Sequence, residues 1–108
     1  EQIKQKEGEL ILKNIKNTDK VVLLDERGKT FTSINWSKEI EKEIICGTKS
    51  LVFIVGGAYG FAQTIYDRAD AKLSLSSMTF SHQIIRLFFI EQLYRAFTII
   101  KGEPYHNE

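Results

Sequence analysis

The sequence is poor in the residues that build disulfides, metal sites and strongly charged docking surfaces. Among 108 residues it has one cysteine, Cys46, and two histidines, His82 and His106. One cysteine cannot form an internal disulfide, and these three side chains cannot make a four-ligand zinc site. The formal net charge is only +1, which argues against a protein that holds nucleic acid by bulk electrostatics. We therefore expect no bound metal.

Long apolar runs are also missing. The most apolar stretch, residues 84–100, is interrupted by charged and amide side chains, and its longest unbroken apolar run is residues 87–90. That is far short of the roughly 20 residues needed to span a membrane. The polar N-terminus does not have the pattern of a secretory signal. We expect a soluble, cytoplasmic protein without a membrane partner. The chain begins with Glu1 rather than methionine, so we also expect part of the natural chain to be missing.

What is present is enough apolar sequence for one domain, residues 1–108, because 43% of the residues are hydrophobic. Apolar spacing predicts helices at 3–15, from Ser33 (or Ser37) to about Cys46, at 62–67 and at 81–101, and strands at 21–24, 51–55 and 72–76. Residues 25–29 are predicted to be a polar loop. The second helix is expected to bury Trp36, Ile40, Ile44 and Ile45. The order α-β-α-β-α-β-α predicts an α/β fold with a parallel sheet covered by helices.

Ligands of parallel sheets lie beyond the carboxyl ends of the strands. Here those ends are Leu24, Gly56 and the loop 75–80, which we therefore expect to meet at one site. The glycine-rich segment 56–60 lacks both the dinucleotide-binding spacing and the phosphate-loop lysine. It is either a tight turn or a place where backbone approaches a ligand closely. The loop 75–80 is either a pocket for a flat base or a capped helix start.

The last predicted helix is apolar on all sides, so it must be buried on more than one side. In a chain this short, one side can face the sheet while another faces a second copy of the chain, and we expect a homodimer. Its polar residues pair at a spacing of four: His82 with Arg86, and Glu91 with Arg95. The simplest interpretation of the second pair is an ion pair within the helix.

Four motifs in this order carry a resemblance to a known family: residues 51–60, 73–83, 90–96 and 102–106. Together with Leu24 and the polar residues after it, they resemble the bacterial large-subunit ribosomal RNA pseudouridine N3-methyltransferases. These enzymes are small members of the SPOUT (α/β-knot) superfamily. The resemblance covers essentially the whole chain. It departs at Ser81, where the family usually has proline, and at the N-terminus, where the resemblance implies that a first strand and helix are missing.

The resemblance implies a parallel-sheet α/β-knot whose C-terminal segment forms a trefoil knot. It also implies a homodimer that methylates N3 of a pseudouridine of large-subunit ribosomal RNA within the ribosome. The cofactor would be S-adenosylmethionine. Carried over by motif, its contacts fall on Leu24, Gly56, Leu75, Ser76, Ser77, Met78, Thr79 and Phe80. These are the three strand ends that topology alone brings together.

The acceptor nitrogen N3 carries an imide proton that must leave, so a base or a group that stabilises the developing anion would help. His82, beside the cofactor loop, and His106, in the tail, are candidates for the base. Arg86 and Arg95 are candidates for holding phosphate or the base carbonyls, and Tyr105 for stacking on the base.

Two other functions stay open from the residues alone. One is an adenine-nucleotide-binding α/β domain, such as an NAD-dependent enzyme, although the dinucleotide fingerprint is missing. The other is a non-catalytic module whose apolar last helix serves only dimerisation.

Overall fold

The computed structural model describes residues 2–56 and 60–107. Its elements run α1 Gln2–Lys13, β1 Lys20–Thr30, α2 Ser33–Ile45, β2 Leu51–Val55, α3 Gln63–Arg68, β3 Ala71–Ser74 and α4 His82–Ile100. The three strands form one parallel sheet in the order β2-β1-β3. The predicted α/β class, element order and parallel sheet are confirmed.

The central strand β1 is covered on both faces. Val21 and Leu23 are completely buried and belong to a cluster with residues of β2 and α3, including Ile65. Val22 and Leu24 point the other way, into a cluster with Trp36 of α2 and with residues of α4. A continuous apolar run without alternation is typical of such a doubly covered strand. The burial therefore confirms that prediction.

The predicted polar loop after Leu24 is wrong, because β1 continues to Thr30. The pairing of β1 with β3 shifts within this segment: Leu73 is the partner of Leu24 and again of Lys29. Residues 25–28 form an irregularity of the strand, of the kind that often re-aims side chains beside a functional site. Gly28 allows it, since its Cα lies against the backbone of Lys72 and Leu73.

Helix α2 ends where predicted, with Cys46 as its C-cap, but its N-cap and the burial of its last turn differ from the prediction. Its N-cap is Thr32, whose side chain accepts a hydrogen bond from the Asn35 N–H, rather than Ser33 or Ser37. Trp36 and Ile40 are buried as expected, but Ile44 and Ile45 are 55% and 77% exposed. The last turn of the helix thus lies beyond the core that its middle covers. Gly47 follows the helix at a φ of 78°, a left-handed conformation that glycine adopts readily.

Helix α4 begins as predicted, with Ser81 as N-cap accepting a hydrogen bond from the Ile84 N–H. It packs against α2 and β2, and Phe89 contacts the rings of Trp36 and Phe53. Within residues 2–56 and 60–107, no helix is long and apolar enough to cross a membrane. The trefoil knot stays a prediction of the resemblance.

Candidate functional site

A pocket of about 410 Å³ opens at the carboxyl ends of the three strands. One wall is the end of β1 from Leu24 to Arg27, a second is the end of β2 at Val55 and Gly56, and a third is the loop that follows β3. Phe61 and Tyr66 close one side, and His82 and Ile85 of α4 contribute another. The prediction that Leu24, Gly56 and the loop 75–80 meet beyond the carboxyl ends of the strands is confirmed.

The loop 75–80 is held by its own hydroxyl groups. Ser74 Oγ donates to the Ser76 carbonyl oxygen at 2.8 Å, and the Met78 N–H donates to Ser76 Oγ at 3.0 Å. Thr79 Oγ1 donates to Glu26 Oε2 at 2.6 Å, which joins the loop to the end of β1 across the pocket. Met78 keeps 67% of its surface exposed and Phe80 37%. The loop therefore offers apolar side chains on a braced backbone, while Ser81 caps the next helix.

A buried carboxylate lies at the pocket wall. The Asp25 side chain is 8% exposed, and it accepts hydrogen bonds from the Tyr66 hydroxyl at 2.9 Å and the Arg27 N–H at 3.0 Å. Burial opposes its ionisation, but these hydrogen bonds outweigh burial and lower the pKa of Asp25 below its ordinary value. Burial and the Asp25 hydrogen bond raise the pKa of Tyr66. Sequence reasoning did not find this pair, because its members are 41 positions apart.

The expected cofactor residues lie at this pocket with one exception. Its lining includes Leu24, Gly56, Leu75, Ser76, Met78, Thr79 and Phe80, but not Ser77. The remainder of the glycine-rich segment, residues 57–59, lies outside the described residues. A Cβ at Gly56 would lie 3.2 Å from the Phe61 ring. A side chain here would press on the Phe61 ring and force it to shift, so the packing of the pocket wall favours glycine at this position.

The candidate catalytic residues are divided between two places. His82 lies at the pocket, whereas Arg95, Tyr105 and His106 lie together on the second half of α4 and the tail. Arg86 is exposed, and its side chain forms no hydrogen bond or ion pair within the described part of the chain. The structure therefore does not bring all five residues into one site.

Glu91 connects the tail cluster. Its Oε2 accepts from Arg95 Nη2 at 2.7 Å and from the Tyr105 hydroxyl at 3.1 Å, and Arg95 Nη1 lies 3.0 Å from His106 Nδ1. The Arg95 hydrogen bond is the main cause that lowers the pKa of Glu91, and the Glu91 hydrogen bond raises the pKa of Tyr105. The predicted ion pair is confirmed, but Glu91 also anchors the tail, which helical spacing did not reveal.

One face of α4 is apolar and exposed. Leu87, Ile90, Tyr94 and Phe97 follow one another at spacings of three and four residues, and they are 63%, 63%, 58% and 40% exposed. Residues at this spacing share one helix face. A contiguous exposed apolar surface of this kind is typical of an interaction site.

A parallel α/β sheet whose three strand ends open into one partly apolar pocket defines a ligand-binding α/β domain. Comparison with known proteins identifies it further. Residues 1–106 match the family model described as "Predicted SPOUT methyltransferase". The chain belongs to the SPOUT methyltransferase family, and it is therefore an enzyme of the methyltransferase class that requires a methyl donor.

Similar proteins carry the name "Ribosomal RNA large subunit methyltransferase H". The relative from Flavobacterium johnsoniae is 60% identical over 107 residues, which are 99% of this chain and 68% of the relative. The relative from Christiangramia forsetii is 61% identical over 106 residues, with 98% and 68% covered. The relative from Bacteroides fragilis strain YCH46 is 56% identical over 108 residues, with 100% and 69% covered. The recognition of the family from its motifs is confirmed.

Proposed function

We propose that this chain methylates N3 of a pseudouridine in large-subunit ribosomal RNA, with S-adenosylmethionine as the donor and the assembled ribosome as substrate. The observation that carries the proposal is the meeting of Leu24, Gly56 and the loop 75–80 at one pocket in a member of the SPOUT methyltransferase family. The names of the similar proteins support the ribosomal substrate.

The pocket fits a nucleoside donor with a cationic side arm. Leu24, Met78 and Phe80 offer apolar surface to a flat base, and the braced backbone of the loop offers polar groups to its edge. Asp25 and Glu26 line the same wall together with Arg27, which is paired with Asp25, so this wall keeps one net negative charge, which favours a cationic side arm. When bound, S-adenosylmethionine supplies a methyl group on an activated sulfonium leaving group, so the protein mainly has to position donor and acceptor.

The tail cluster is the proposed place where the acceptor is handled. Arg95 is fixed by Glu91 and reaches His106, so its guanidinium can stabilise negative charge that develops on the base after the imide proton leaves. Tyr105 stays protonated, since its pKa is raised, and its ring lies 5.0 Å from the Arg95 guanidinium carbon. His82 and His106 remain the candidates for taking the proton, and Arg86 for contacting phosphate.

We further propose that two chains associate through the exposed face of α4 formed by Leu87, Ile90, Tyr94 and Phe97. Burying four large side chains in a self-complementary contact removes a surface that water solvates poorly. The two-fold interface would then lie on the same helix that carries Glu91 and Arg95.

The donor site is tested by truncating Met78, which lines the pocket but is 67% exposed and lies outside the core clusters. Isothermal titration of Met78→Ala with S-adenosylmethionine should show affinity about tenfold weaker than that of the parent, as expected for loss of most of a buried apolar side chain. Ile45→Ala, which truncates a side chain that is 77% exposed and away from the pocket, should bind like the parent.

A parallel titration of the parent with NADH distinguishes the adenine-nucleotide alternative. Tight binding of NADH with no binding of S-adenosylmethionine would overturn the proposed donor. Binding of neither compound would favour the non-catalytic module.

A further inference from the structure

Three consecutive charged residues line the pocket of about 410 Å³ that is proposed to bind the methyl donor, the donor pocket. They are Asp25, Glu26 and Arg27, in the irregular part of β1. Neighbouring side chains of a regular strand point to opposite faces. Here Glu26 bonds to Thr79 and Arg27 to Tyr66, and both of these partners also line the pocket. The irregularity thus brings an exposed anion and an exposed cation to one opening.

The Arg27 guanidinium has one edge that is not occupied by the protein. Its Nη2 donates to the Tyr66 hydroxyl at 3.3 Å, and its Nε lies 3.7 Å from Asp25 Oδ1. Because Tyr66 is itself bonded to Asp25, both contacts lie on the edge between Nε and Nη2. Within the described part of the chain Nη1 forms no hydrogen bond. The parallel N–H groups of Nη1 and Nη2 therefore form a fork of the kind that binds a carboxylate.

The two acidic residues of this wall differ in their remaining acceptors. Both oxygens of Asp25 are bonded, Oδ1 to the Arg27 N–H and Oδ2 to the Tyr66 hydroxyl. Glu26 accepts from Thr79 Oγ1 through Oε2, and its Oε1 accepts no hydrogen bond within residues 2–56 and 60–107. A ligand cation at the opening can therefore bind to Glu26, whereas Asp25 holds Tyr66 and Arg27 in place.

The amino-acid arm of S-adenosylmethionine has the complementary chemistry. This arm carries an ammonium group and a carboxylate, and it is joined to the nucleoside through the sulfonium. Arg27 is the only lysine or arginine among the described residues that line the donor pocket, so it is the one permanent cation that can meet the carboxylate. Met78 and Phe80 flank Thr79, the partner of Glu26. Apolar surface for the nucleoside thus adjoins the charged opening.

We propose that Arg27 binds the carboxylate of the donor's amino-acid arm and that Glu26 binds its ammonium group. The inference rests on the proposed function, which it deepens by naming the residues that select a donor with a complete arm. The arm and its sulfonium together carry one net positive charge, which the one net negative charge of Asp25, Glu26 and Arg27 balances. Both residues are binding residues in this arrangement.

Isothermal titration with paired ligands and variants tests the carboxylate contact. Decarboxylated S-adenosylmethionine lacks only the carboxylate, so the parent should bind it about tenfold more weakly than S-adenosylmethionine. Arg27→Gln should bind S-adenosylmethionine about tenfold more weakly than the parent does, and it should no longer distinguish the two ligands. Non-additivity of this kind identifies groups in contact. Lys38→Gln removes the same charge from an exposed residue outside this pocket and should behave like the parent.

Glu26→Gln tests the ammonium contact, and it keeps a side-chain oxygen that can accept from Thr79 Oγ1. It should weaken binding of S-adenosylmethionine and of the decarboxylated form alike, by about fivefold, because both ligands carry the ammonium group. Methylthioadenosine has the nucleoside without the arm, so its affinity should be the same in the parent and in both pocket variants. An equal loss for this compound would show that the variants disturb the whole pocket, and would overturn the assignment.

The same titrations separate this inference from the proposed function. A parent that does not bind S-adenosylmethionine refutes the proposed function and the arm contacts with it. A parent that binds S-adenosylmethionine but does not prefer it to the decarboxylated form refutes only the arm contacts. The same holds if Arg27→Gln retains the affinity and the ligand preference of the parent.

Discussion

The close approach of Gly28 to the neighbouring strand allows a stringent test of the fold around the donor pocket. A Cβ built at this residue would lie 2.7 Å from the carbonyl carbon of Lys72, 2.8 Å from the Leu73 nitrogen and 2.9 Å from the Leu73 carbonyl carbon. All three atoms are backbone, so no side chain can rotate out of the way. Gly28→Ala therefore requires β1 and β3 to move apart.

The size of the effect follows from these distances. Ordinary contact for a Cβ begins at 3.4 Å, so the closest pair must separate by about 0.7 Å, the difference between 3.4 Å and 2.7 Å. Forcing atoms into a packed interior typically costs about 1–3 kcal/mol. We expect Gly28→Ala to lower the free energy of unfolding by about that amount, which lowers Tm by roughly 4–8 °C for each kcal/mol.

The assay is urea unfolding followed by circular dichroism, with donor affinity as a second measurement. Because β3 leads into the loop 75–80, a displaced β3 should also weaken donor binding. Gly47→Asn is the control: Gly47 has no atom within 4 Å of a built Cβ, and asparagine tolerates its left-handed φ of 78°. An unfolding midpoint of Gly28→Ala equal to that of Gly47→Asn would refute the packing of residues 25–28 on β3.

Three further outcomes are expected. Burial opposes ionisation of Asp25, but the hydrogen bonds from the Arg27 N–H and the Tyr66 hydroxyl hold its pKa below the ordinary value, so the ionised side chain stabilises the fold above the unfolded pKa. This contribution is lost as pH falls through the folded pKa, and Asp25→Asn should therefore flatten the acid side of a stability profile measured by thermal unfolding. Leu87→Glu should convert a dimer to a monomer in sedimentation, and a monomeric parent would contradict the proposed interface. Deleting residues 104–108 should leave donor affinity nearly unchanged but reduce methyl transfer to ribosomes by orders of magnitude, whereas parent-like transfer would show that the tail has no catalytic part.

Local sequence patterns predict the structure correctly where a single periodic signal determines it. The uninterrupted run Val21 to Leu24 predicts a strand covered on both faces, since water can reach neither set of alternate side chains. The order of elements then fixes which strand ends adjoin. The position of the pocket follows from topology alone, before any side-chain contact is known.

The remainder depends on contacts between distant segments. Residues 25–30 have the composition of a loop, yet they remain extended because Lys29 and Thr30 pair with β3. Ile44 and Ile45 have the spacing of a buried face, but the core that α2 covers ends before them. The pairing of Asp25 with Tyr66 and of Glu91 with Tyr105 arises only when the chain is folded. No pattern among neighbouring residues predicts contacts between residues so far apart in the chain.

The small net charge of the protein and its internal ion pairs determine how it can bind RNA. In the part of the chain that the structure describes, basic side chains form ion pairs with Glu43, Asp25, Glu39, Asp70 and Glu91. Phosphate contacts provide affinity when cations displace counterions from the RNA. The 15 Lys and Arg residues of this chain are nearly balanced by 14 acidic residues, and a net charge of only +1 gives little bulk attraction to phosphate. We infer that affinity must arise instead from the fit of the exposed side chains of the loop 75–80 and of the tail cluster to an RNA surface of fixed shape. An assembled ribosome presents such a surface, whereas a free and flexible RNA strand would first lose conformational entropy.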